Sequence, residues 1–339
     1  MSSKVISLSS NAVLDIRNLR TEFPSAEGVV VAVNDVSLSV GPGEIVGIVG
    51  ESGSGKSALA YSILGLIDAP GRITAGSIKF RGQELAGLEE AELRGVRGNR
   101  IAIIFQDPMT SLHPLLRIER QMIDAIAAHR KLSRADARGE AIAALTKVGI
   151  AAPEQRLRAY PHQLSGGTRQ RVAIAIAMIN KPDLIIADEP TTALDVTTQA
   201  QIIREMKSLC AASGTALVWI THDLAVVSEM ADAVAIMYAG SIVETGTVQE
   251  VLDSPAHPYT AGLLASVPAR NRGAKRLSQI PGSVQSATGV SGCAFAPRCS
   301  RSTAECDAVP ALMPGSDGRK LRCFNPLPAI ADARLGAAQ

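Results

Sequence analysis

The chain has 339 residues, 46% of them hydrophobic, and a formal net charge of +2. That is ample apolar material for two domains, or for one large domain with an appendage, and it excludes a chain disordered throughout. Near-balanced charge argues against a polybasic nucleic-acid surface, and 3% aromatic residues leave little for base-stacking platforms.

The first fourteen residues are Ser-rich and lack an apolar segment after a basic start, so no secretory signal is expected. No apolar run approaches the roughly 18 to 20 residues that span a bilayer. The longest, Val172 to Ile179 and Ala233 to Tyr238, have the length of buried elements. A cytosolic protein is expected, with any membrane role exercised through a partner. Strands are predicted at 13–17, 29–33 and 36–40, then a turn at Gly41-Pro42-Gly43. Phe23 is an aromatic that could stack on a nucleotide base, the alternative being a core or strand-edge phenylalanine. Pro24 beside it suggests a loop.

Glu44 to Val49 is short, apolar and β-branched, as in a strand buried on both faces. Gly50-Glu51-Ser52-Gly53-Ser54-Gly55-Lys56-Ser57 follows and fits the phosphate-binding pattern G-x-x-x-x-G-K-[ST]. A helix is predicted next, with Leu59, Ile63 and Leu66 on one side. The glycines let backbone N–H groups approach an anion, and the helix N-terminus adds its dipole. Lys56 would reach the β- and γ-phosphates, and Ser57 would place its hydroxyl on Mg²⁺. The bland alternative is a Gly/Ser-rich turn with one exposed lysine.

Further strands are predicted at 76–80 and 100–106, separated by a charged helix from Leu85 to Leu93. The second strand runs into Gln106, and Asp107-Pro108 then signals a turn. From Ile118 to Val148 the spacing is helical, so a helical subdomain inserted at about 110–182 is expected. Ser165-Gly166-Gly167 starts a helix running to about Asn180. It is either an ordinary N-cap or a second place where N–H groups meet a phosphate. Leu184 to Ala187 is an apolar strand ending in Asp188 and Glu189. Asp188 would serve Mg²⁺, and Glu189 would orient or deprotonate an attacking water. A helix from Thr198 to Cys210 and a strand from Thr215 lead to His222. In a parallel sheet these strand ends would collect Gln106, Asp188, Glu189 and His222 beside the phosphate loop. His113, His129 and His162 are read as structural.

Taken together, the phosphate loop, Gln106, Leu164-Ser165-Gly166-Gly167, Asp188-Glu189, Ala193-Leu194-Asp195 and His222 resemble an ATP-binding cassette (ABC) ATPase over residues 13 to 250. Thr168 departs from the glutamine commonest there. The resemblance implies an α/β fold: a P-loop NTPase (RecA-like) core with an N-terminal antiparallel β subdomain, an inserted α-helical subdomain and a C-terminal cysteine-bearing extension. It implies an ATPase in which two cassettes sandwich two ATP molecules, Lys56 and Ser57 of one facing Ser165, Gly166 and Gly167 of the other. Gln106 would contact Mg²⁺ and the region of the attacking water, near the surface that meets a membrane subunit. His222 would hold the γ-phosphate, and Asp195 would link the two sites.

Beyond residue 250, Ser254-Pro255-Ala256-His257-Pro258-Tyr259-Thr260 is similar to the segment after the cassette in oligopeptide, dipeptide and nickel importer ATPases. The domains are therefore read as 1–250 and 251–339. Cys293, Cys299, Cys306 and Cys323 lie in this extension, whereas Cys210 sits alone in a helix as a small apolar residue. Disulfides suit a cytosolic protein poorly, and four thiolates in a segment too small for its own core suggest a metal centre, zinc or iron–sulfur. Their spacing matches neither standard pattern. The family resemblance implies a [4Fe–4S] cluster, structural or regulatory.

The implied protein is the ATP-hydrolysing subunit of a peptide importer, peripheral at the cytoplasmic membrane face. Its implied partners are a second cassette in a heterodimer, a homodimer remaining open, and two transmembrane permeases. An extracytoplasmic peptide-binding protein joins through the complex, and no nucleic acid takes part. The rival readings are an importer of nickel or another small solute and a soluble non-transport cassette.

Overall fold

The computed structural model describes residues 12–26, 28–107, 111–192, 194–267, 279–284, 289–315 and 318–328. It divides into two compact units. Met1–Ser39, Ile45–Ala86 and Thr221–Gln339 form the first, and Val40–Glu44 with Gly87–Ile220 form the second.

The first unit begins with β1 (Leu14–Ser25), β2 (Gly28–Val40), β3 (Ile45–Val49), α1 (Lys56–Ile63), β4 (Arg72–Phe80) and β5 (Gln83–Glu84). An antiparallel sheet runs β2-β1-β4-β5, with Leu14 opposite Phe80 and Ile16 opposite Ile78. The strands expected at 29–33 and 36–40 are one continuous strand, and β1 runs through Phe23 and Pro24 where a loop was expected. The half-buried Phe23 ring lies so close over Gly71 that a Cβ there would come within 2.5 Å of it, and this packing keeps the segment extended. All five residues of β3 are buried, as its β-branched run predicts.

The second unit holds α2 (Glu90–Val96), β6 (Ile101–Ile104), α3 (Ile118–Ala127), α4 (Arg134–Lys147), α5 (Pro153–Leu157), α6 (Gly166–Met178), β7 (Leu184–Asp188), α7 (Val196–Ser213) and β8 (Ala216–Thr221). β6, β7 and β8 are parallel, with Ile101 opposite Leu184 and Asp188 opposite Ile220. The helical spacing from 118 to 148 resolves into two helices. Ser133 stops the run by capping α4, its Oγ accepting from the Asp136 N–H. α3 buries Ile118, Met122 and Ile126, and α4 buries Ala137, Ala141 and Leu145. Arg130 clamps the Glu140 carboxylate with two bonds of 3.1 and 2.6 Å, tying the end of α3 to α4.

The chain returns to the first unit through α8 (Leu224–Met230), β9 (Ala233–Tyr238), β10 (Ser241–Thr247), α9 (Val248–Asp253), α10 (Pro258–Ser266), β11 (Met313–Pro314) and β12 (Lys320–Leu321). β3 and β9 pair in parallel, and β9, β10, β12 and β11 continue antiparallel. Tyr259, Leu264 and Phe295 join Val49, Val227, Ile236 and Tyr238 in one buried cluster, so residues beyond 251 complete this unit's core. Buried Glu244 on β10 accepts from the N–H groups of Ala256 and His257 at 2.8 and 3.0 Å, which fixes the approach to α10. Among the described residues no helix is long and apolar enough to cross a membrane.

Candidate functional site

The phosphate loop lies in the first unit, between β3 and α1. Gly53 and Gly55 take φ of +78° and +100°, conformations that side chains resist, and Gly55 opens α1. A Cβ at Gly50 would stand 2.7 Å from the Ser54 hydroxyl and closer still to the Met237 carbonyl. The loop therefore needs these three glycines for two reasons, torsional at Gly53 and Gly55 and steric at Gly50. Lys56 is not the exposed lysine of the bland alternative. It is 5% exposed, and its Nζ donates to the carbonyls of Gly50 and Glu51 at 2.8 and 2.9 Å. Those oxygens hold a charge that would otherwise be costly to bury, at a position where phosphate oxygens can take their place. Ser57 is half buried.

The second unit, taken by itself, holds the carboxylates. β7 ends at Asp188, 1% exposed, and Glu189 follows with φ of +45°. A non-glycine residue held in that region costs free energy, and such strain collects at functional sites. Parallel neighbours bring the expected partner: Gln106, just beyond β6, donates from Nε2 to Glu189 Oε2 at 3.4 Å. Thr192 donates its hydroxyl to the same oxygen at 3.0 Å. The sequence reading missed Thr192, although a hydroxyl three residues past a turn carboxylate is a recognisable local signal.

Ser165 caps α6, its Oγ accepting from the Thr168 N–H at 3.4 Å and lying 2.9 Å from the Thr168 hydroxyl. Ser165 and Gly166 are exposed. Gly167 lies against Thr198, whose methyl would be 2.7 Å from a Cβ there, so the glycine lets α6 approach the start of α7. Asp195 caps α7, accepting from the Thr198 N–H at 2.9 Å and the Thr198 hydroxyl at 2.7 Å. The bond from the Thr198 backbone, first among its causes, holds the Asp195 carboxyl below the usual carboxylate range.

His222 is exposed immediately after β8, and Asp223 beside it caps α8 through the Ala225 N–H. Phe23 packs over Gly71. The expected metal centre is where structure and expectation part: among the described residues no group of three or more His, Cys, Asp or Glu is arranged to hold a metal ion. Besides burial, the charges of neighbouring extension cysteines raise Cys293, from Cys306 and Cys299, and Cys323, from Cys293, Cys299 and Cys306. Burial pushes Cys323 up to about 11 and also raises Cys293, while hydrogen bonding, first from the Thr303 backbone, lowers Cys306. Cys210 behaves as a small buried apolar residue, its thiol pushed up to about 12.

Residues 33–192 match the family profile described as ABC transporter, and residues 243–306 match that of the oligopeptide/dipeptide transporter C-terminal region. The oligopeptide transport ATP-binding protein OppD of Escherichia coli is 44% identical over 94% of each chain. The oligopeptide transport ATP-binding protein AppD of Bacillus subtilis is 45% identical over 93% of this chain and 97% of that one. The chain belongs to the oligopeptide/dipeptide ABC transporter ATP-binding family. An ABC cassette solved as a dimer, MJ0796 bound to ADP and Pi, superposes with a TM-score of 0.63 at 30% identity, covering 69% of this chain and 98% of that one. The fold is thus an ABC ATPase cassette, α/β with a mixed sheet, and the expectation of an ATPase stands. The C-terminal profile takes in Cys293, Cys299 and Cys306 and stops short of Cys323.

Proposed function

We propose that this chain hydrolyses ATP to drive import of di- or oligopeptides, as a peripheral subunit at the cytoplasmic face of a membrane transporter. The support for peptides is the family and its relatives' names, which include a probable D,D-dipeptide transport protein at 47% identity. A second cassette, two transmembrane permeases and an extracytoplasmic binding protein complete the assembly. Ser165, Gly166, Gly167 and Asp195 face the partner cassette in this reading, His222 meets the γ-phosphate and Phe23 stacks on the adenine.

The observation that carries the catalytic reading is Glu189, strained in φ and bonded through one carboxylate oxygen to Gln106 and Thr192. In this reading the Glu189 carboxylate takes a hydrogen bond, and then a proton, from the water that attacks the γ-phosphorus. Lys56 exchanges its carbonyl partners for phosphate oxygens and spreads the developing charge. Mg²⁺ bound with the nucleotide supplies charge neutralisation between the phosphates. Ser57, Gln106 and Asp188 are oxygen donors, the chemistry such a hard cation prefers. Glu189→Gln, measured in the assembled transporter, should lower ATP turnover by about 100-fold or more while ATP still binds. Turnover equal to the parent's would sink the assigned role.

The four extension cysteines enter the proposal as ligands of a [4Fe–4S] cluster, with zinc as the alternative occupant. Supporting this are N–H groups aimed at two sulfurs, Arg301 N at Cys299 Sγ, 3.4 Å, and Asn325 Nδ2 at Cys306 Sγ, 3.7 Å. Such bonds stabilise thiolates.

A further inference from the structure

Glu51 is the second residue of the phosphate loop, and the C-terminal extension grips it twice. Its backbone N–H donates to the Tyr259 hydroxyl at 2.9 Å. Its carboxylate receives Arg298 as a two-bond fork, Nη1 to Oε2 at 2.7 Å and Nη2 to Oε1 at 3.0 Å. Its carbonyl holds Lys56 Nζ. All of these residues belong to the first unit.

The fork is built rather than incidental. The Arg298 side chain is 2% exposed, so its charge has been taken almost wholly out of water. Its remaining N–H groups are satisfied by the carbonyls of Pro281 at 2.6 Å and Gly282 at 3.4 Å, and by the Tyr238 hydroxyl at 3.4 Å. The guanidinium carbon sits 5.6 Å from the Tyr238 ring centre and 6.0 Å from that of Phe295. Those rings pack with Tyr259 at centroid separations of 4.7 to 5.4 Å, which leaves the guanidinium little freedom to turn. Arg298 stands between Cys293 and Cys299 in sequence, so the cysteine segment and the phosphate loop share one rigid joint.

We propose that Arg298 is a positioning residue for ATP binding: through Glu51 it holds the phosphate loop in the conformation where Lys56 meets the phosphates, making the extension a determinant of nucleotide affinity. The physical need arises when ATP enters. Lys56 then gives up the Gly50 and Glu51 carbonyls, and the first turn of the loop loses that internal tie. The Arg298 fork and the Tyr259 bond remain, so the loop amides stay aimed at the anion instead of rearranging. Arg is required because the fork needs two parallel donors, which a lysine cannot offer.

The inference rests on the ATPase reading of the loop. The test uses full-length Glu51→Gln, Arg298→Met and the double variant. Mg-ATP affinity is measured by calorimetry, and KM and kcat in the assembled transporter. Each single change should weaken ATP binding about tenfold and raise KM to match, with kcat within about twofold of the parent. Since both act through one contact, the double variant should be no worse than either single one. Additive losses, or affinities within about twofold of the parent in variants that melt normally, would overturn the proposal. If Arg298→Met does not fold, Glu51→Gln alone decides, because its side chain is partly exposed on the loop. A parent chain that bound no ATP would instead overturn the ATPase reading.

Discussion

Lowering pH should destabilise the first unit through one residue, His257. It is 1% exposed and caps α10, Nδ1 accepting from the Tyr259 N–H at 3.0 Å. Burial pulls its pKa from 6.5 down to about 4, only partly opposed by a hydrogen bond to the Arg322 backbone. The folded chain therefore keeps a neutral imidazole at pH values where the unfolded chain has already bound the proton. The stabilising contribution is fully present above pH 6.5 and is lost as pH falls from there toward 4. At about 1.4 kcal/mol per pH unit, the loss reaches about 2 kcal/mol at pH 5 and about 3 kcal/mol at pH 4. Glu244, next to it, acts in the opposite sense, because burial raises its carboxyl and the folded state gains protons there. A comparison at each pH with His257→Asn isolates the histidine, since the asparagine oxygen can still cap the helix but does not titrate. Urea unfolding followed by circular dichroism at about pH 7.5 and 5 gives the two differences. The parent should lose about 2 kcal/mol more than the variant. Parallel losses would show that His257 is protonated in the fold and refute the reasoning.

Two further outcomes are expected. Gly50→Ala should weaken Mg-ATP binding at least about tenfold, because its methyl would press on the Ser54 hydroxyl and the Met237 carbonyl, and overpacking of this kind costs about 1 to 3 kcal/mol. Calorimetry giving parent-like affinity would mean that the loop has room the structure does not show. Full-length chain purified anaerobically should carry about four irons and a broad visible absorbance that bleaches with reductant. Colourless protein with about one zinc would assign the cysteines to the alternative, and metal-free protein would remove the centre altogether.

The phosphate loop, Gln106, Asp188, Glu189 and the capping Ser165 were readable from the chain because their chemistry depends on spacing along a strand end or a helix start. A loop that binds phosphate needs glycines at particular steps, and an apolar strand that ends in carboxylates announces its own edge. The same local logic failed where packing overrode it. Phe23 looked like part of a loop until its ring was seen over Gly71, and two helices hid in one periodic stretch because a short capped break leaves the spacing almost undisturbed. The four cysteines were countable, but their arrangement was not, since separations along the chain do not determine distances between sulfurs. The pairing of Glu51 with Arg298 lay furthest out of reach. The partners are 247 positions apart, and neither has a neighbour pattern that names the other. Only the fold decides that contact, because it exists where the Tyr238, Tyr259 and Phe295 rings exclude water and leave the guanidinium a single carboxylate to meet.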